Sequence, residues 1–126
     1  MRITFAACVL ALLMAGTSLR AVDSAPAPKF DTSTVITFEA TVLEVRDSEK
    51  QTSLHVRTDS ESSLAVYVGP TEFVKSFEIT IRKGDRIHIT GSKLKVQGED
   101  LVLAREVRKD STTLYLRGKD GTPYWN

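Results

Sequence analysis

Hydrophobic and polar residues alternate along much of the chain after position 34. In the first such stretch, residues 35–46, Ile36, Phe38 and Ala40 share one face, while threonine and glutamate occupy the other. The alternation slips near Leu43, which predicts a bulge or a tight bend in a long first strand. Further stretches with the same period predict strands at 52–58, 63–68, 86–96, 101–108 and 112–117. We therefore expect an all-β domain.

The boundaries and faces of these strands follow from the same pattern. Gly69-Pro70 is expected to end the third strand, and Gly91 is expected to mark a bulge or bend in the fourth. In the fifth strand, Leu101, Leu103 and Val107 are expected to share the apolar face, which Arg105 interrupts.

One segment has the spacing of a helix. Phe73, Val74 and Phe77 stand at i, i+1 and i+4, so they share a helical face, and Thr71 is suited to cap the first turn. This pattern predicts one or two helical turns over residues 71–77, between the third and fourth strands.

The order of the elements predicts the architecture. Three strands, a short helix, two strands and an added C-terminal strand are the order of a five-stranded OB-type barrel. We assign residues 34–126 to this OB-like domain with its C-terminal tail; a small β-sandwich is the alternative fold.

Two segments carry a resemblance to known proteins. Residues 81–92 read I-R-K-G-D-R-I-H-I-T-G-S, and residues 103–107 read L-A-R-E-V. Together they resemble the fourth and fifth strands of bacterial OB-fold domains, and the small exported BOF-like periplasmic proteins are the most similar type. The resemblance covers roughly residues 35–109. It implies the fold rather than an activity, because the glycine and aspartate of the motif build a turn and a bend.

The N-terminus has the pattern of a signal peptide, which we assign to residues 1–21. Arg2 gives a positive start, and an apolar run from Ile3 to Ala15 precedes small residues. The run is shorter than the roughly 20 residues that cross a membrane. We expect cleavage after Ala21, a flexible linker at 22–33 and an exported protein, periplasmic or secreted. An uncleaved N-terminal anchor is the alternative.

Composition narrows the chemistry that is available after cleavage. Cys8 and both methionines lie in the leader, so the mature chain is expected to have no disulfide and no soft ligand for Cu(I). Removing Arg2 and Arg20 leaves 15 basic and 16 acidic residues, a net charge of −1. This charge offers little electrostatic attraction to nucleic acid, which we consider an unlikely partner.

Catalysis and metal binding have few candidate residues. The two histidines, His55 and His88, are predicted on outward faces, without a nucleophile elbow or a phosphate loop nearby. We predict no catalytic residues, no metal site and no cofactor. A zinc or copper site shared by the two histidines and a carboxylate is the alternative.

Two hypotheses about the function of the chain remain open. The first is a non-enzymatic binding module of the cell envelope, with a small molecule, an oligosaccharide or a protein as its unidentified partner. The residues expected to bind it are His55, Arg57, Tyr67, His88 and Lys93. The second is a structural accessory protein that pairs with its partner through an edge strand and through Tyr124 and Trp125. In a third interpretation, the turn at Asp120-Gly121 folds the tail back, and these two aromatic residues cover an apolar patch or the barrel mouth.

Overall fold

The computed structural model describes residues 28–126 apart from Glu61. The predicted signal peptide and the first half of the predicted linker, residues 22–27, lie outside this range. The elements are β1 (Val35–Asp47), β2 (Gln51–Thr58), β3 (Ser63–Pro70), α1 (Thr71–Lys75), β4 (Arg86–Val96), β5 (Glu99–Lys109) and β6 (Thr112–Tyr115). A single 3-10 turn, Thr32–Thr34, precedes β1. No helix in the described part of the chain has the length and apolar character needed to cross a membrane.

The strands close into a barrel. Antiparallel neighbours run in the order β3-β2-β1-β4-β5, and a short parallel pairing between β3 and β5 joins the two ends. That pairing sets Ala65 opposite Leu101 and Tyr67 opposite Leu103. β6 pairs with the second half of β5. The predicted all-β, five-stranded OB-type barrel, with one short helix between strands 3 and 4 and an extra C-terminal strand, is confirmed.

The inner faces of the strands supply an aliphatic core. Its fully buried larger side chains come from every strand of the barrel and from β6, and include Val42, Leu54, Val56, Val66, Ile87, Ile89, Val102, Val107 and Leu114. The slip in the β1 pattern is a bulge: Val42 pairs with Val56, whereas Glu44 pairs with His55, so Leu43 is the extra residue. The bulge lets one long strand pair with β4 in its first half and with β2 in its second.

A second bulge changes the face of β5. Thr90 of β4 lies opposite Glu106 and Gly91 lies opposite Ala104, so Arg105 is an extra residue without a cross-strand partner in β4. A single extra residue shifts the alternation of all later residues by one position.

The predicted apolar face of β5 is therefore wrong in its first half. Val102 and Ala104 point into the core together with Val107, because the bulge falls between them. Leu103 is also buried, at 3% exposure, but it lies on the opposite side of the strand from the core. Its burial needs a cover outside the barrel.

β3 ends at Pro70, at the predicted Gly69-Pro70 signal, although the strand includes both residues, which still pair with Thr52 and Gln51 of β2. The predicted cap at the start of α1 is wrong. Thr71 does not cap the helix: its buried hydroxyl donates to the carbonyl oxygen of Ser48 at 2.7 Å. Thr71 thereby ties the first helical turn to the β1–β2 turn.

Asp85 fixes the loop that leads into β4. Its carboxylate accepts a hydrogen bond from the backbone N–H of Arg82 and forms an ion pair with Lys109 at 2.9 Å. The hydrogen bond from Lys109, followed by that from Arg82, lowers the pKa of Asp85 below its usual value.

This lowered pKa predicts a pH dependence of stability. Because the folded-state pKa lies below the unfolded value of about 3.9, the stabilising effect is present above that pH and is lost as the pH falls through the folded pKa. Asp85→Asn should cost up to about 1 kcal/mol near neutral pH, since the pair is only partly buried, and the difference should vanish in acid. Urea unfolding from pH 7 to pH 3 measures it. Glu44→Gln, which removes the exposed ion pair with Arg46, is the control and should have the smaller effect. A difference that persists unchanged at pH 3 would contradict this account.

Candidate binding surfaces

One outer side of the barrel is an uncovered sheet of polar side chains. Thr41 of β1 lies between Arg57 of β2 and Arg86 of β4 in the strand register. The next outward row holds Glu39 of β1 and His88 of β4, and continues to Arg108 of β5. We call this surface the open face; its residues are Glu39, Thr41, Arg57, Arg86, His88 and Arg108.

Ion pairs organise the centre of the open face. Arg86 contacts Glu39 through Nε and Asp59 through Nη2, and these two carboxylates raise its pKa, with Asp59 the larger cause. The other oxygen of Glu39 lies 3.1 Å from Nε2 of His88. Within residues 28–126, excluding Glu61, Arg57 and Arg108 form no ion pair. The open face therefore presents two exposed, unneutralised guanidinium groups on either side of a neutralised centre.

A second outer side of the barrel is covered by the two ends of the domain. Ser92 of β4 is fully buried, with the N-terminal segment packed over it. Its hydroxyl accepts a hydrogen bond from the backbone N–H of Asp31 at 3.0 Å and lies 2.8 Å from the hydroxyl of Thr34. Ser92 pairs with Leu103, whose other neighbour is Tyr67. We call this surface, on the outside of β3, β5 and the second half of β4, the covered face.

The C-terminal tail, residues 116–126, supplies the other half of the cover. The Asp120-Gly121 turn reverses the chain, so that the N–H of Tyr124 donates to the carbonyl of Leu116 at 3.0 Å. Trp125 then lies edge-on to Phe73, with ring centroids 5.5 Å apart, and edge-on to Tyr67 at 6.4 Å. Tyr124 remains 57% exposed. The tail thus folds back onto its own domain.

Trp125 fits there because β3 has a glycine beneath it. A Cβ at Gly69 would stand 3.1 Å from the Trp125 ring, which is closer than ordinary van der Waals contact. Burial under the tail raises the pKa of Tyr67, although the nearby positive charge of Arg117 acts in the opposite direction.

Arg117 connects the two covering segments. Its guanidinium carbon lies 5.0 Å from the centroid of the Trp125 ring and 5.7 Å from that of Phe30. Phe30 also packs against Gly121, whose φ of 89° requires a residue that tolerates the left-handed region. Phe30, within the segment predicted as linker, therefore packs onto the domain.

The residues predicted to bind a ligand are distributed over several surfaces. Arg57 and His88 belong to the open face. His55 lies two positions before Arg57 on the same outer side of β2. Tyr67 lies on the covered face under the tail. Lys93 is exposed, opposite Val102 on the β4–β5 hairpin. The structure therefore brings only part of the predicted set together.

Several residues of these surfaces were missed from the sequence. Glu39 and Arg86 are 47 positions apart, and only the β1–β4 register makes them partners. Arg117 and Phe30 carry no local motif, because their contact depends on the path of both chain ends. In β4, the alternation of inward and outward residues puts Arg86 and His88 on the same side of the strand. This is the one local signal that could have pointed to the open face.

The barrel interior offers little room for a ligand. A cavity of about 290 Å³ lies at the α1 end, with walls that include Val45, Leu54, Val68, Phe77, Ile79 and Ile81. Ligand pockets usually measure about 300 to 1,000 Å³, so this cavity lies at the lower limit. In the described part of the chain, no three potential metal-ligating side chains come together. The outer faces are therefore the main candidates for recognition.

The architecture and its exposed strand faces define the class: this is an OB-fold domain. A chain in the solved structure of a replication protein A heterotrimer bound to ssDNA is similar to it, with a TM-score of 0.50, 15% identity and coverage of 71% of this chain and 70% of that one. A likeness at this identity shows the fold alone.

The family is shown by sequence. The model of the MamS/MamX magnetosome protein family matches residues 34–114, nearly the whole barrel through most of β6, so the chain belongs to this family. The predicted resemblance to OB-fold proteins is thus confirmed, but the family is MamS/MamX and not the BOF-like family. No curated protein matches the sequence.

Proposed function

We propose that the chain is an exported, non-enzymatic binding module of the magnetosome, which holds an acidic surface of another magnetosome protein on its open face. The observation that carries the proposal is the pair of exposed cations, Arg57 and Arg108, which form no ion pair with any described residue. Membership of the MamS/MamX magnetosome family supports the location.

The arrangement of the open face favours recognition over chemistry. His88 is engaged with Glu39 on an exposed strand surface rather than in a cleft, and Arg86 is held between two carboxylates. Side chains fixed by cross-strand ion pairs present a stable charge pattern, and complementary charges steer and orient a protein partner. Export is supported by the leader pattern of residues 1–21.

The accessory-protein hypothesis has weaker support. Trp125, its expected anchor, is packed against Phe73 and Gly69 of its own chain. Tyr124 is exposed, but a single tyrosine offers less contact area than the buried aromatic clusters that dominate most interfaces.

The proposal is tested by the attachment of the chain to magnetosomes. Isolated magnetosomes from cells that express the full chain should retain it, and the double variant Arg57→Glu/Arg108→Glu should be retained several-fold less, since each change replaces an attraction with a repulsion. Immunoblots of the washed fraction over a series of salt concentrations measure this, because rim charge pairs weaken as salt rises.

A matched control keeps the net charge change the same. Lys50→Glu/Lys75→Glu reverses two exposed cations that lie outside the open face, and it should leave retention unchanged. Equal losses for the two double variants, or absence of the wild-type chain from the magnetosome fraction, would overturn the proposal.

A further inference from the structure

Arg117 is a half-buried cation whose hydrogen-bonding capacity is mostly unused. Of its three nitrogens, Nη1 donates to the carbonyl oxygen of Gly121 at 3.0 Å. Nε is buried and has no partner, and it is the one such side-chain atom in the part of the chain that the structure describes. Nη2 also has no partner there but is open to solvent. A buried polar group without a partner is costly, so this arrangement favours an additional acceptor.

Two acidic residues adjoin the cluster of Arg117 and Phe30 in the sequence, and both form hydrogen bonds with other residues. Asp120, three positions away, accepts hydrogen bonds from both the N–H and the hydroxyl of Thr122. Asp31, next to Phe30, accepts from the N–H and the hydroxyl of Ser33. Both carboxylates therefore stabilise local turns, and neither neutralises Arg117. Among the described residues, no carboxylate lies within ion-pair distance of it.

The surroundings of Arg117 also select for a type of ligand. The rings of Phe30 and Trp125 offer apolar walls next to the guanidinium. Tyr67 belongs to the same cluster, since its ring and the Arg117 guanidinium both lie against Trp125. Burial lowers the pKa of Arg117, yet a guanidinium stays charged at any physiological pH. A planar cation with free N–H groups matches a carboxylate, and aromatic walls match a flat or apolar group attached to it.

We propose that Arg117 is the centre of a carboxylate-binding site on the covered face, with Phe30 and Trp125 packing against the carbon skeleton of the ligand. The site is independent of the open face. Its ligand is an organic carboxylate, supplied either by a small free acid or by an acidic group of a peptide. Nη2 makes the first contact from the solvent side, and a small outward movement of the tail lets Nε join it.

Trp125 provides the signal for the test. It is the single tryptophan of the chain, and its ring lies next to the Arg117 guanidinium, so its emission reports directly on the site. The full chain is titrated with benzoate at constant ionic strength, and with benzamide as the uncharged analogue of the same shape. Benzoate should give a saturable change in emission, and benzamide should bind at least about tenfold more weakly, as expected for a lost hydrogen bond to a charged group.

Two variants locate the site. Arg117→Gln should abolish the saturable response, and Arg117→Lys, which keeps the charge but loses the planar fork, should weaken it about tenfold. Arg46→Gln, at an exposed arginine outside both faces, should bind benzoate like the wild-type chain. If Arg117→Gln fails to fold, as judged by circular dichroism, the wild-type comparison and Arg117→Lys still decide the question.

The source of the carboxylate is distinguished by competition. A short peptide with a free C-terminal carboxylate, compared with the same peptide as an amide, should displace benzoate if peptides are the ligands; succinate should displace it if small acids are. Equal responses to benzoate and benzamide, the same response to sodium chloride, or equal loss in Arg46→Gln would overturn the proposal. None of these outcomes bears on whether the open face attaches to magnetosomes, so either proposal can be contradicted while the other holds.

Discussion

Gly91→Ala is expected to destabilise the barrel by about 3 kcal/mol or more, although it adds a single methyl group. A Cβ at this position would overlap the carbonyl oxygen of Leu103, and it would come within 2.9 Å of Val102 and 3.0 Å of the Cα of Ala104. Two of these three atoms belong to the backbone of β5, which cannot turn away as a side chain can. The chain must therefore separate β4 from β5 beside the Arg105 bulge, where the two strands are in register on both sides.

The measurement is urea unfolding followed by circular dichroism, with Gly118→Ala as the control. A Cβ at Gly118 would meet only side-chain atoms, at 3.3 Å for Asp120 and 3.6 Å for Tyr124, so the cost should be far smaller. A loss of several kcal/mol is a large part of the stability of a domain of this size. Equal stabilities of the two variants would show that β4 and β5 are less closely packed at Gly91 than the structure indicates.

Trp125→Ala is expected to cost about 2 to 3 kcal/mol, although it changes the second-to-last residue of the chain. The indole contacts Phe73, Tyr67 and Gly69, and losing it removes the apolar contact that holds the tail on the covered face. The adjacent substitution Tyr124→Ala should change stability by no more than about 0.5 kcal/mol, because Tyr124 is mostly exposed.

A second observable separates loss of the tail from general damage. Burial raises the pKa of Tyr67, so removal of Trp125 should bring the Tyr67 titration back toward the ordinary value of about 10. Ultraviolet titration of the tyrosines in both variants measures this, and Tyr124→Ala should leave the raised titration in place. If Trp125→Ala lowers stability without moving that titration, the tail does not cover Tyr67 in solution.

The sequence predicted the parts of the fold that depend on local alternation. The bounds predicted for β4, 86–96, are those observed, and the slip at Leu43 is a bulge. The inward face of β5 was predicted wrongly because the residues on both sides of Arg105 look like one regular strand in the sequence. Only the pairing of Gly91 with Ala104 and of Thr90 with Glu106 shows that it is an extra residue. Periodicity contains no information about which residue has no cross-strand partner.

The surfaces were less predictable because they are assembled from distant segments. Tyr67 was expected to bind a partner, and it does lie on an outer face, but the tail reaches it from 58 positions further along the chain. Thr71 had the residue type and position of a helix cap, yet a long-range acceptor, the carbonyl of Ser48, takes its hydroxyl. In both cases a tertiary contact that no local rule contains decided the partner.

The parallel pairing of β3 with β5 also has a consequence for how the domain folds. It joins residues 65–67 to residues 101–103, so it cannot form until β5 has been placed. Like the pairing of β1 with β4, whose partners lie even further apart in the sequence, it carries a loop-closure cost that slows the search for the native state. Until then, the edge of β3 has an unsatisfied row of backbone groups, which can pair with a strand of another molecule. We expect these two long-range pairings together to limit the folding rate, and the interval before β3 is paired with β5 to be the period in which the chain is most prone to aggregate.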